Sequence, residues 1–124
     1  MKKIILLVCF PFMANAQISD TSGVNWIKTE HDFGQVKFDI PVTHKFKFVN
    51  KSKGAIEIVS VEASCGCTQP VWTTSPILPN DTAFVEATFN ARTEGVFNKQ
   101  VTIYTNKSSY PTKLILKGEV IKNP

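Results

Sequence analysis

The chain has 124 residues, 14 of them Lys or Arg and 10 Asp or Glu, with a formal net charge of +4 and 43% hydrophobic residues. That length suits one domain burying about two thirds of its unfolded surface, so its core needs no covalent staples. The positive excess is small and dispersed, which leaves no footprint for nucleic acid.

Residues 1 to 16 read as a cleaved signal peptide. Lys2 and Lys3 give a positive start, Ile4 to Met13 an apolar run, and Ala14-Asn15-Ala16 a small-x-small processing pattern, so the cut is expected between Ala16 and Gln17. The product is expected to be exported, either periplasmic or secreted. A permanent anchor takes roughly 20 apolar residues, and neither this run nor any later one is that long, so no membrane span is expected. A lipidation signal at Cys9 wants a small residue before it, and Val8 stands there instead. Cys9 is therefore expected to leave with the leader, which reduces three cysteines to two. Lys2 and Lys3 leave as well, so 12 of the 14 basic residues remain against 10 acidic ones.

Residues 17 to 25 are polar and read as a flexible lead-in to a domain over residues 26 to 124. From there the hydrophobic period is two, with strand-like runs at Ile27 to Val36, Val42 to Asn50, Ala55 to Ala63, Thr82 to Asn90, Val96 to Thr105 and Thr112 to Ile121. His44, Phe46 and Phe48 share one face against Lys45 and Lys47, and Ala83, Val85, Ala87 and Phe89 share another. Lys45, Lys47, Lys51 and Lys53, the densest basic group, read as a solvated face. Asn50 to Gly54, Leu78 to Asp81 and Asn106 to Pro111 supply turns, and no segment carries a capped helical period. Phe46, Phe48, Phe89 and Phe97 are candidate core residues. Trp72 lies in a Pro-flanked stretch read as loop and is expected to be partly buried, the alternative being an exposed contact residue. The predicted fold is an all-β, immunoglobulin-like antiparallel β-sandwich of about seven strands.

Cys65 and Cys67 flank Gly66 in the loop after the third run and form the one candidate site. Extended residues two apart lie about 6.6 Å from each other and point the same way, near the upper limit of Cα separation for a disulfide. Three uses stay open: a disulfide or thiol pair that shapes the loop, a redox or partner-linking pair, and half of a copper(I) or zinc site. A zinc ion would need further ligands, and His31 and His44 are the two histidines that could supply them. No phosphate loop, nucleophile elbow or paired carboxylates accompany the pair, so no catalytic residue, metal or cofactor is assigned.

The ordered set His31-Asp32-Phe33-Gly34, Thr43 to Asn50, Ala63-Ser64-Cys65-Gly66-Cys67-Thr68, Leu78-Pro79, Ala87 to Asn90, Gly95 to Lys99 and Leu116 to Val120 resembles the bacterial family known as domain of unknown function 1573. The resemblance covers residues 30 to 120. It implies an immunoglobulin-like sandwich related to the domains of major sperm protein and of cilium-associated proteins, in exported bacterial proteins, with no established activity. The expected function is a non-catalytic interaction or structural module of the envelope, with a protein as partner. The alternative is a thiol redox or copper/zinc-handling protein that uses Cys65 and Cys67.

Overall fold

The computed structural model describes residues 23–122. The expected leader, the cut between Ala16 and Gln17, and residues 17–22 of the lead-in lie outside the described residues. Eight strands follow in order: β1 (Val24–Trp26), β2 (Glu30–Lys37), β3 (Val42–Asn50), β4 (Ile58–Ala63), β5 (Thr68–Trp72), β6 (Thr82–Phe89), β7 (Gly95–Thr105) and β8 (Thr112–Ile121). They form two four-stranded sheets, ordered β1-β3-β6-β5 and β2-β8-β7-β4. This is the expected immunoglobulin-like sandwich, with one parallel pair, β2 on β8, among antiparallel ones.

Period-two alternation builds it. Phe46 from β3 with Val85 and Ala87 from β6 meet Val101 and Ile103 from β7 and Leu114 and Leu116 from β8, all buried between the sheets. Phe48 centres a second cluster with Val24, Ile56, Ile77 and Ala83 at one end of the sandwich. Phe89 and Phe97 stack at 4.2 Å at the other end, with Val36, Ala91 and Val120. The four phenylalanines expected in the core are all buried.

Two strands escaped sequence reading. Val24 and Asn25, read as lead-in, pair with Asn50 and Val49, and Trp26 donates its indole N–H to Thr112 Oγ1 at 3.2 Å. The short link after β1 then carries the chain across to the other sheet. Thr68–Trp72, read as loop, is strand β5. Its Trp72 packs half-buried against the core. Pro70 hid this strand, because proline lacks a ladder donor; here its nitrogen faces the free edge, where no ladder bond is lost.

Two polar and backbone devices hold the frame. The β2 register shifts between Asp32 and Gln35, where Gly34 adopts φ +68° and donates its N–H to Asp32 Oδ1 at 2.8 Å. Opposite it, a Cβ added to Gly118 would lie 2.7 Å from the Gly34 carbonyl oxygen and 2.9 Å from the Phe97 ring. At the far end Asn50, fully buried, donates to the carbonyls of Gly54 and Ile77 at 2.8 and 2.7 Å and accepts from the N–H and hydroxyl of Ser52. Its backbone pairs with Asp81 and Asn80, so one side chain and its peptide groups tie β3, the 51–54 turn and the 77–81 turn together.

Asn50→Ala removes the side-chain bonds to Gly54, Ile77 and Ser52, although the Gly54 carbonyl keeps the Ser52 hydroxyl and the Ile77 carbonyl keeps the Ile56 N–H; it should destabilise the domain by about 0.5 to 1.5 kcal/mol for each bond lost, read as a fall in the urea midpoint. Gly118→Ala forces the β2 bulge and Phe97 apart and should cost about 1 to 3 kcal/mol in the same assay. A control at Gly66, where an added Cβ meets nothing within 4 Å, should not reproduce the Gly118 effect.

Candidate functional site

The Cys65-Gly66-Cys67 turn joins β4 to β5, at the corner where the two sheets pass chain from one to the other. The two sulfurs are bonded, with Cα atoms 5.3 Å apart, closer than an extended pair would be. A tight turn draws them in: Thr68 N–H donates to the Cys65 carbonyl at 3.3 Å, and Cys67 N–H donates to Cys65 Sγ, also at 3.3 Å. Asn90 N–H donates to the Cys67 carbonyl at 2.9 Å and holds the turn against the end of β6. Cys67 packs against the Phe89 and Phe97 cluster, so the two sulfurs sit in unlike surroundings.

No metal cage forms around this pair. Among the described residues, no group of three or more His, Cys, Asp or Glu side chains comes together. The two histidines meet each other instead. His31 of β2 and His44 of β3 stack with ring centroids 3.8 Å apart and planes 8° from parallel, across the seam between the sheets. Phe33 abuts His31 edge-on at 4.5 Å, and Phe46 abuts His44 at 4.6 Å. The alternation put His44 on the Phe46 and Phe48 face and gave His31 no face; the crossing of the chain from β1 to β2, which juxtaposes them, leaves no mark in the pattern.

The pair is built to stay neutral. His31 Nδ1 is buried and has no hydrogen-bond partner among the described residues, whereas an imidazolium needs acceptors at both nitrogens. Burial holds the His31 ring below its ordinary pKa and Lys28 adds to this, while Asp32 opposes it. Burial also lowers His44, followed by the His31 ring and Lys28.

The four sheet edges differ in what they offer. β1 is three residues long and β2 is bulged at Gly34. In β5 the residues bonded to β6 are Cys67, Gln69, Val71 and Thr73, which turns the main-chain groups of Thr68, Pro70 and Trp72 toward the free edge. Thr68 N–H is spent on Cys65, and Pro70 has none, so this edge is nearly without donors. β4 is the opposite case. Ser64 N–H bonds to Gln100, so the register aims Val61 and Ala63 away from β7, where no proline or turn bond blocks them. Val59, at the β4 irregularity, is 66% exposed beside them.

The sequence model of a family of proteins of unknown function, DUF1573, matches residues 24–120, from the first residue of β1 nearly to the end of β8. The chain belongs to that family. None of the curated proteins matches it by sequence. Among solved structures the DUF1573 domain is similar to a PapD-like domain of human CEP192, with a TM-score of 0.70 at 9% identity, over 83% of this chain and 88% of that one. It is also similar to a protein of unknown function from Porphyromonas gingivalis W83, with a TM-score of 0.67 at 15% identity, over 84% of this chain and 51% of the other. A third likeness is to the secreted serine protease VesC from Vibrio cholerae, TM-score 0.62 at 14% identity, over 81% of this chain but 23% of the protease. At these identities the likeness is one of fold.

The histidine stack makes the DUF1573 domain acid-sensitive in a defined direction. Both folded-state pKa values lie below the ordinary histidine value of about 6.5, so between the two values the unfolded chain binds more protons. The stabilisation is therefore complete above that ordinary value and is lost as pH falls through the folded-state values. The urea midpoint should drop between pH 7.5 and 5, and the double variant His31→Phe/His44→Phe, which keeps two rings without the titrating nitrogens, should show a shallower drop. An equal slope in both proteins would remove the histidines from this account.

Proposed function

We propose that this DUF1573 domain is an exported, non-catalytic interaction module of the bacterial envelope, which holds an extended segment of a partner protein along the free edge of β4. The observation that carries the reading is the contrast between edges. β5 has lost two of its three outward donors, at Thr68 to the Cys65 turn and at Pro70 to the proline ring, while β4 keeps those of Val61 and Ala63 in register. A strand added there would gain main-chain hydrogen bonds, with Val59 and Tyr104 offering apolar contact on the outer face. Natural sheets usually blunt such edges; β4 is irregular only between Ile58 and Ser60, and the regular stretch beyond it, Val61 to Ala63, points to use. The signal-like start of the sequence supports export, and the absence of any recognisable catalytic constellation in the sequence supports binding without chemistry.

Photo-crosslinking in the native envelope tests it. A crosslinking side chain at Val59 should capture a partner protein, and the same group at Val71 on the β5 edge should not. Val61→Pro, which removes an outward N–H while sparing the bonds to β7, should abolish capture in a protein whose circular dichroism is unchanged. Capture from Val71 alone, or capture that survives Val61→Pro, would sink the strand-addition reading.

A further inference from the structure

We propose that the Cys65–Cys67 bond is an exchangeable disulfide with a built-in polarity: an incoming thiolate attacks Cys67, and Cys65 leaves. This does not rest on the strand-addition reading and would survive its failure.

Access comes first. Two openings converge on Cys67 and neither is lined by Cys65. One, of about 290 Å³, is bounded by Pro41, Gly66, Gln69, Thr88, Asn90 and Arg92. The other, of about 100 Å³, runs past Phe89, Glu94 and Lys99. Arg92, held 3.5 Å from Asp39, lines the first mouth, and Lys99 lines the second together with Glu94, so charge is balanced at both and neither turns a thiolate away.

The leaving group is decided on the other side of the bond. Cys65 Sγ already accepts the Cys67 backbone N–H at 3.3 Å, and a hydrogen bond to an anionic acceptor is stronger than to a neutral one. Negative charge released on Cys65 is therefore met where it forms. Cys67 packs against Phe89 and Phe97, and its sulfur has only the Thr68 hydroxyl nearby, at 3.9 Å. A charge there would face an apolar wall, and exchange runs toward the better leaving thiolate.

The step balances without a further reagent. The thiolate R–S⁻ of a small thiol or an exposed protein cysteine bonds to Cys67 Sγ, the Cys65–Cys67 bond breaks, and its electron pair leaves on Cys65. A second thiolate of the same class then attacks the sulfur of R, forms R–S–S–R, and releases Cys67, which takes a proton from water. The pair gains two electrons and the thiols lose two. Closing the pair again by the reverse route consumes a disulfide of the same class.

The test uses the unaltered oxidised chain, so no variant needs to fold. Incubated with reduced glutathione and quenched in acid, it should carry glutathione on Cys67 in about tenfold excess over Cys65, as read by peptide mass spectrometry, a ratio in keeping with the spread of thiol reactivities set by local environment. In the reduced chain Cys65 should alkylate faster than Cys67 at neutral pH. Arg92→Glu should slow the first step with anionic glutathione several-fold and leave the site of attachment unchanged. A parallel incubation with a reduced, unfolded cysteine protein separates the sources: adducts with glutathione alone assign the opening to small thiols, and adducts with both extend it to protein cysteines. Glutathione found mainly on Cys65, or a bond left intact under conditions that open the same Cys-Gly-Cys sequence in a free peptide, would overturn the proposal.

Discussion

β2 can lie parallel to β8 because Gly118 has no side chain where the two strands press together. Gly118 faces the Gly34 carbonyl and the Phe97 ring at distances that no Cβ tolerates, and Gly34 takes the left-handed φ that makes the bulge. That seat closes one side of the sandwich. It also lets β2 send Phe33 toward the core and His31 across the seam to His44, while Lys117 on β8 meets Glu30 at the strand's start. Remove the close approach and the histidine stack has no geometry, because its two members belong to different sheets.

The opposite side of the sandwich is arranged by a different logic. There β4 and β5 are edges of separate sheets, joined by the Cys65-Gly66-Cys67 turn. The turn uses the Thr68 N–H, proline silences the next outward position, and β5 ends up nearly inert. β4 keeps its outward groups. One short segment thus holds the disulfide and sets which neighbouring edge stays open, so the two candidate uses of this corner share a structural origin while differing in chemistry.

Both candidate sites depend on how the protein environment treats charge. The histidine pair is pressed toward neutrality by burial, by Lys28 and by an Nδ1 that an imidazolium would leave without an acceptor. The cysteine pair sits at a boundary, with one sulfur facing a backbone N–H and the other an apolar cluster. Neither arrangement gathers a metal cage among the described residues. A zinc site at the cysteine turn would have needed His31 and His44 as further ligands, and they stack on each other instead.

Much of the frame was legible before any coordinates, because period-two alternation depends only on which residues are apolar. Val42 to Asn50 and Thr112 to Ile121 were bounded as the structure has them, and Phe46, Phe48, Phe89 and Phe97 declared themselves as core. What alternation could not reach were the elements whose signal is weak or inverted: three residues of β1 after a polar stretch, and β5, whose Pro70 argues against a strand unless one knows that its nitrogen faces an edge. Asn50 read as a turn former, and its role as a buried hub needs the 77–81 turn brought beside it. The amino-acid sequence by itself determined the alternating faces, the turns, the Cys-Gly-Cys spacing and the family. Only the tertiary structure decided that β1 and β2 belong to different sheets, that two distant histidines stack, that β4 keeps its outward groups while β5 loses most of its own, and that the two sulfurs differ, because each of these depends on which strand becomes the neighbour of which.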